Sequence, residues 1–469
     1  MKPRLSVLTP CLLTLCLLLG ACASPTAPIN SGIDAPVAWQ SPWTAADRQT
    51  GRQWWEQFDS PQLNRLIEQA RAGSYNLAAA MARVRQARAD SVIAGASKVP
   101  EITGSANANR QRLISGKGYR QLDAYEAEPT AKFFDVSFSA SYEVDFWGGN
   151  AATRRSAEQS LQASEFDQAT VELTLLSAVA DSYVQSLALD EQARIAELNL
   201  ANAQHVLALV QTRFQSGSTT ALDLARQKSL VAGQQRQVPL IRQQAQEARI
   251  TLATLLGQPV QQLTLENQSF ERLNWPDASP GLPSELLSRR PDIASAEARL
   301  AAAQADIQVA RAAMLPKLTL SASFGSGGDV ASDILRSPFY NLGGGLLTPI
   351  FNNGRLGAER DKTIARQQEL LETYRGAIIS AFADVEKALN AIAGLDQQRQ
   401  WQSEELQQAQ RAFQIAESRY QAGAEDMLSV LDTQRTLYQA QEQNVQLRLS
   451  RLQASVALYK ALGGGWRVR

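Results

Sequence analysis

Between Phe134 and Phe146 the chain alternates without a break. Even positions carry Phe134, Val136, Phe138, Ala140, Tyr142, Val144 and Phe146, and odd ones Asp135, Ser137, Ser139, Ser141, Glu143 and Asp145. A period of two, with one apolar face and one small or acidic face, predicts a strand. Leu318, Leu320, Ala322 and Phe324 against Lys317, Thr319, Ser321 and Ser323 repeat the pattern. Weaker partners are expected at 101–112 and 339–350, the latter softened by Gly343-Gly344-Gly345. Elsewhere the period lengthens. Residues 150–215 hold neither proline nor glycine and read as one helix, roughly 100 Å long at 1.5 Å per residue. Ala169, Leu173, Leu176, Ala180, Tyr183 and Leu187 step by four and three, a spacing that winds helices into a left-handed coil. Leu428, Leu431, Tyr438, Val445, Leu449, Leu452, Val456 and Tyr459 make a second seam, and Pro239 is expected to kink the matching helix. His205 is expected on a packing seam.

These elements occur twice. Arg213-Phe214-Gln215-Ser216-Gly217 returns as Arg419-Tyr420-Gln421-Ala422-Gly423, and Leu255-Leu256-Gly257 at the same offset as Ala461-Leu462-Gly463. Val99-Pro100-Glu101-Ile102-Thr103 returns as Leu315-Pro316-Lys317-Leu318-Thr319. Each copy, 61–275 and 276–469, reads as helix, two strands and a long helical hairpin, a repeat that sets the architecture. Asp59-Ser60-Pro61 starts the first helix, which is expected to run to about Lys98 before Pro100 stops it. The fold class is α+β. Strands near 9–11 residues with a wet, serine-lined face fit a membrane barrel. Four strands cannot close alone. Two protomers would give eight strands and a packed interior; three would give twelve and leave a channel.

Lys+Arg and Asp+Glu balance at 46 each in 469 residues, so no basic footprint for nucleic acid is present. The single histidine, His205, argues against a histidine-rich metal site or a His-based triad, and no cofactor or enzyme motif is found. Glu143 and Asp145, two residues apart on one strand face, read as lumen lining rather than as an acid–base pair. At the N-terminus Lys2 and Arg4 precede an apolar run, Leu12 to Leu19, too short to span a bilayer: an export signal over 1–21. It ends in Leu19-Gly20-Ala21-Cys22, which resembles the lipobox of bacterial lipoproteins. That resemblance implies acyl chains on Cys22 and a lipidated arm over 22–60. Ala23 after the cysteine resembles outer-membrane sorting.

Further stretches carry a wider resemblance. Trp54-Trp55 with Leu63-Asn64 and Leu66-Ile67, Arg289-Arg290-Pro291-Asp292-Ile293 with Ala296-Glu297, Pro349-Ile350-Phe351, and Leu458 to Trp466 stand in order across both halves. In this the chain resembles TolC-like outer-membrane efflux channels, specifically the lipoprotein branch that serves resistance-nodulation-division drug pumps. The resemblance implies a homotrimer: a twelve-stranded barrel in outer-membrane lipid, continued by a helical periplasmic tunnel. It implies an adaptor and an inner-membrane pump as partners, with this chain as the exit duct for drugs or other small toxic compounds. Loops 113–132 and 325–338 would face the exterior. It also places a periplasmic gate at Leu428 and Asp432, each a ring of three in the trimer, and a latch at Tyr420. Apolar rings block by dewetting and acidic rings hold cations. Secretion-type relatives carry a second aspartate where Ser429 stands, which with the lipobox argues against a protein-secretion channel. A non-conducting coiled-coil scaffold would leave the alternating strands unexplained.

Overall fold

The computed structural model describes residues 30–42, 51, 53–112, 114–115, 130–266, 268–276 and 278–467. Cys22, the export signal and most of loop 113–132 lie outside the described residues. The chain divides into two units, Met1–Asp34 and Ala35–Arg469. In the first, Gly32 N donates to Asn30 Oδ1 at 2.9 Å; the fold described below is that of the second.

The elements are α1 (Pro61–Gly73), α2 (Tyr75–Gly95), β1 (Glu101–Arg112), β2 (Thr130–Val144), α3 (Gly149–Gln215), α4 (Ala221–Leu255), α5 (Pro283–Arg289), α6 (Pro291–Ala312), β3 (Lys317–Gly328), β4 (Pro338–Leu347), α7 (Arg355–Gln421) and α8 (Met427–Ala461). The first helix starts where its signal predicts: Ser60 caps it, accepting from Leu63 N at 3.2 Å, with Pro61 in the first turn. It does not run unbroken to Lys98. Ser74 interrupts it and caps a second helix by accepting from Leu77 N. The long helices match in pairs, with 67 residues in α3 and α7 and 35 in α4 and α8. Pro239 lies inside α4 without ending it. No helix among the described residues is long and apolar enough to cross a membrane.

Near the turns, α3 packs on α4 and α8, and α8 on α7; farther from them α3 packs on α2 and α6, and α6 on α7. The helices therefore lie as a sheet-like layer whose free flanks are α2 and α4 on one side and α7 on the other. Their main core gathers Leu176, Tyr183 and Leu187 of α3 with Val445, Leu452 and Tyr459 of α8. Trp54 and Trp55, expected in an extended arm, form a short 3-10 turn buried in this core, where Trp54 stacks on Tyr459 at 5.2 Å. The predicted seams are buried or half-buried with two corrections. His205 is exposed on α3 between buried Ala203 and Val206, and Leu428 is exposed at the start of α8.

The strands form one antiparallel sheet in the order β1-β2-β3-β4. β3 continues four residues beyond Phe324, so the second loop is shorter than 325–338. Two glycines of that expected loop are required inside the strand. A Cβ on Gly325 would meet Ser137 Cβ at 2.7 Å, and one on Gly327 would meet Phe134 O at 2.6 Å. β4 ends at Leu347, three residues short of Ile350.

Candidate functional site

The register places every even residue of the sheet on one face. Across the strands run Ala106, Val136 and Ser326, then Gly104, Phe138, Phe324 and Tyr340, then Ile102, Ala140, Ala322 and Leu342. Ile102, Phe138, Phe324, Tyr340, Leu342 and Leu346 are exposed. A contiguous apolar surface of this kind needs a covering, and lipid supplies one. The opposite face is polar and internally bonded along its middle, with Phe133, Phe339 and Leu347 exposed near the strand ends. Ser105 Oγ and Ser137 Oγ are 3.0 Å apart, Asn107 Nδ2 donates to Asp135 Oδ2 at 3.2 Å, and Lys317 Nζ meets Glu143 Oε2 at 3.4 Å. Exposed Phe146, Trp147 and Phe351 mark the helix-facing end, as aromatic girdles do. Among the described residues β1 pairs only with β2 and β4 only with β3. Lipid cannot satisfy the outer backbone groups of these edges, so in a membrane other strands must.

Asp145 corrects the lumen-lining expectation. β2 ends at Val144, and the Asp145 carboxylate accepts from Asn150 N (3.1 Å) and Ala151 N (2.8 Å) at the start of α3. It anchors the strand-to-helix corner and stabilises the helix N-terminus.

Both hairpins turn through a left-handed glycine, Gly217 and Gly423, with Ser218 N donating to Arg213 O and Ala424 N to Arg419 O. Thr220 and Asp223 form a capping box at α4, and Asp426 caps α8 through Ser429 N at 2.8 Å. That amide holds the Asp426 carboxyl below the usual carboxylate range. Behind the second turn Tyr420 is buried, 3% exposed, among Val206, Phe413, Met427 and Leu431. The Arg213 guanidinium lies 4.3 Å from its ring centroid and donates to Gln421 O at 3.1 Å, tying one tip to the other. Leu428, 48% exposed, and Asp432, also exposed, stand one turn apart on one face of α8. Leu428 is the one member of its seam that the protomer leaves uncovered. Pairwise spacing could not have found Arg213, whose partner lies 208 residues away in sequence.

The Arg289-Arg290-Pro291-Asp292 stretch is a staple. Arg290 binds Asp292 (2.7 Å), Asp384 on α7 (3.0 Å) and Ala461 O at the end of α8 (3.3 Å). Burial works to raise the Asp292 pKa, but the Arg290 guanidinium outweighs it and leaves it lowered. Gly463 seats against this staple, since a Cβ there would meet Arg289 O at 2.0 Å.

An outer membrane efflux protein family model matches residues 66–258 and 282–464, most of the chain and once per half. The chain belongs to the outer membrane efflux protein family. Pyoverdine export outer membrane protein OpmQ of Pseudomonas aeruginosa is 61% identical over 459 residues, covering 97% of this chain and 96% of that relative. Cation efflux system protein CusC of Escherichia coli is 30% identical, covering 98% of this chain and 100% of its own. A crystal structure of the open state of the Neisseria gonorrhoeae MtrE outer membrane channel superposes with a TM-score of 0.84 at 25% identity, covering 95% of this chain and 98% of that one. These likenesses make the four-stranded sheet part of a channel in the outer membrane. The chain is the outer-membrane exit duct of an efflux system. Members of the family form trimers and work with adaptor and inner-membrane pump partners.

Proposed function

We propose that this duct is a lipid-anchored homotrimer that passes pyoverdine out of the periplasm, supplied by a periplasmic adaptor and an inner-membrane pump of the resistance-nodulation-division class. The 61% identity to OpmQ over almost the whole of both chains carries the substrate reading. Residues 1–21 direct export, Cys22 carries the lipid, 22–60 form the arm, and 61–275 and 276–469 are the two structural repeats. Three copies join β4 of one to β1 of the next, giving twelve strands, and α7 meets α2 and α4 of its neighbour. Twelve strands leave an aqueous lumen lined by the serine face. Leu428 and Asp432 close the periplasmic end as stacked apolar and acidic rings, and Tyr420 latches that tip. The exposure of Leu428, against the burial of every other member of its seam, supports the gate.

Complementation tests the substrate. In a strain lacking its own pyoverdine export channel, this chain is expected to restore extracellular pyoverdine, and Cys22→Ser to lose palmitate labelling. Restored efflux of other solutes without pyoverdine would leave the duct standing and remove the substrate.

A further inference from the structure

Arg236 and Glu442 are one position of the two repeats, separated by the same offset as Leu255 and Ala461. Both line a single groove of about 300 Å³ between α3, α4 and α8, Arg236 from α4 and Glu442 from α8. From α3 the groove takes Ile195, Ala196 and Asn199. Ala196 packs in a buried cluster with Ile241 of α4, so one part of the lining is apolar. The sequence of α4 explains why space is left here. Gly233 lines the groove without a side chain to fill it, and Pro239 has no N–H to return to Gln235 O, which loosens the helix. At the matching places α8 has Gln439 and Val445.

The charges of the groove are unmatched. Three of the four arginines of α4 are paired: Arg226 with Asp223, Arg242 with Glu197 and Arg249 with Asp190. Arg236 is the fourth, and among the described residues neither it nor Glu442 makes an ion pair, with each other or with any other group. Exposed charges alone are ordinarily left to water. What distinguishes this groove is Asn199, 4% exposed, whose Oδ1 is buried with no hydrogen-bond partner. An unmatched buried acceptor is costly and calls for a donor. Tyr438, also in the lining, cannot serve, because its hydroxyl donates to Asn199 O at 2.8 Å and accepts from Gln434 Nε2 at 2.8 Å.

We infer that this groove is a binding site for a small zwitterion with an apolar body, of the kind a short hydrophobic peptide presents. The free ammonium pairs with Glu442, the carboxylate is held by the Arg236 fork, and Asn199 Oδ1 accepts an N–H. The apolar side chains cover Ile195 and Ile241. The volume stands at the low end for small-ligand pockets and suits an amino acid or dipeptide better than a larger solute. Every group invoked belongs to one protomer, so the site depends neither on the gate nor on pyoverdine as cargo. Since α4 returns from the first hairpin and α8 from the second, a zwitterion bound there ties the hairpins together, as Arg213 does at their tips.

Leucyl-leucine is the probe, titrated calorimetrically into the purified full-length protein. Acetylating its amine or amidating its carboxylate is expected to weaken binding to the wild type about fivefold each. Glu442→Gln should weaken the parent dipeptide by the same factor yet leave the acetylated one unchanged, and Arg236→Gln should do so for the amidated one. Asn199→Leu, which keeps the bulk and removes the acceptor, should cost about tenfold. Ile195→Trp should fill the groove and abolish binding. A wild type that does not bind leucyl-leucine would overturn the site. So would equal affinity for all three ligands, or losses in Glu442→Gln that are as large for the acetylated dipeptide as for the parent. If a variant fails to fold, the three ligands on the wild type still decide the matter.

Discussion

Leu222 and Leu428 occupy the same place in the two hairpins, each the second residue of its helix, and both are exposed. Four residues on, the copies part. Arg226 follows in α4 and sits near Asp223 at 4.0 Å, while Asp432 follows in α8 and makes no ion pair among the described residues. The residues before the turns part as well: Phe214 is exposed, whereas its counterpart Tyr420 is buried beneath Arg213. Duplication thus kept the backbone and the glycine turns while substitution divided the labour. Both tips are self-capped, carry an ion pair (Arg226–Asp223 and Arg419–Glu425) and expose a leucine. The second adds an acid, Asp432, with no ion pair among the described residues, and is fastened to the first through Arg213. A channel end needs a fixed frame and a closing part, and on the proposed gate one repeated hairpin serves as both.

Four experiments sharpen this contrast. The largest effect is expected from Asp181, whose counterpart in α7 is Lys387. Burial pushes the Asp181 carboxyl up to about 7 from 3.8, with Lys460 opposing, and its Oδ1 has no hydrogen-bond partner. The folded state therefore holds its proton more tightly than the unfolded one, and stability falls as pH rises from about 4 to about 7. Asp181→Asn should remove that dependence, raising stability at pH 8 by up to about 4 kcal/mol and changing little at pH 4, as thermal unfolding at both values would register. Next is Arg451, where the first hairpin has Ala245. Its Nε donates to Asp396 Oδ1 at 2.9 Å from an almost fully buried position. Arg451→Ala should cost about 3 kcal/mol, the low end for a broken buried pair because Asp396 is half exposed; a cost near zero would make the pair ornamental.

The proposed gate comes third. Leu428→Ala with Asp432→Ala should raise single-channel conductance about tenfold, or 1.4 kcal/mol in the open–closed balance. The matched pair Leu222→Ala with Arg226→Ala should leave it within twofold; equal effects would dissolve the division of labour. The smallest effect belongs to Thr220→Ala, which removes the capping box of α4 and should lower stability by about 1 kcal/mol with no change in conductance.

What could be read from sequence followed from periodicity within one element. The limits of β1, the sheet faces and the great length of α3 needed only local alternation or the absence of breakers. Errors arose where a residue answers to something distant. Asp145 continues the strand pattern but is claimed by the amides of α3, five and six residues on. Gly325 and Gly327 fell in the expected loop 325–338 because nothing local reveals that β2 lies too close for a Cβ. His205 fits a seam at one spacing and falls off it once the coil chooses Ala203 and Val206. In the candidate site, Leu428, Asp432 and Tyr420 came from a resemblance. Arg213 had no such signal, since its meaning lies in which helix faces it.

The equal lengths of the paired helices, 67 with 67 and 35 with 35, act as a ruler. Six long hairpins in a trimer end at one depth only if both copies keep the same count. Shortening one alone would leave a notched rim that no flat-ended partner could seal. Any change must also preserve the side each residue presents, which a coil allows only in steps of seven. Insertions and deletions that survive in such a chain should therefore be found in its loops, or else arrive as matched sevens in both halves. The reach of the duct across the periplasm is then inherited in discrete sizes.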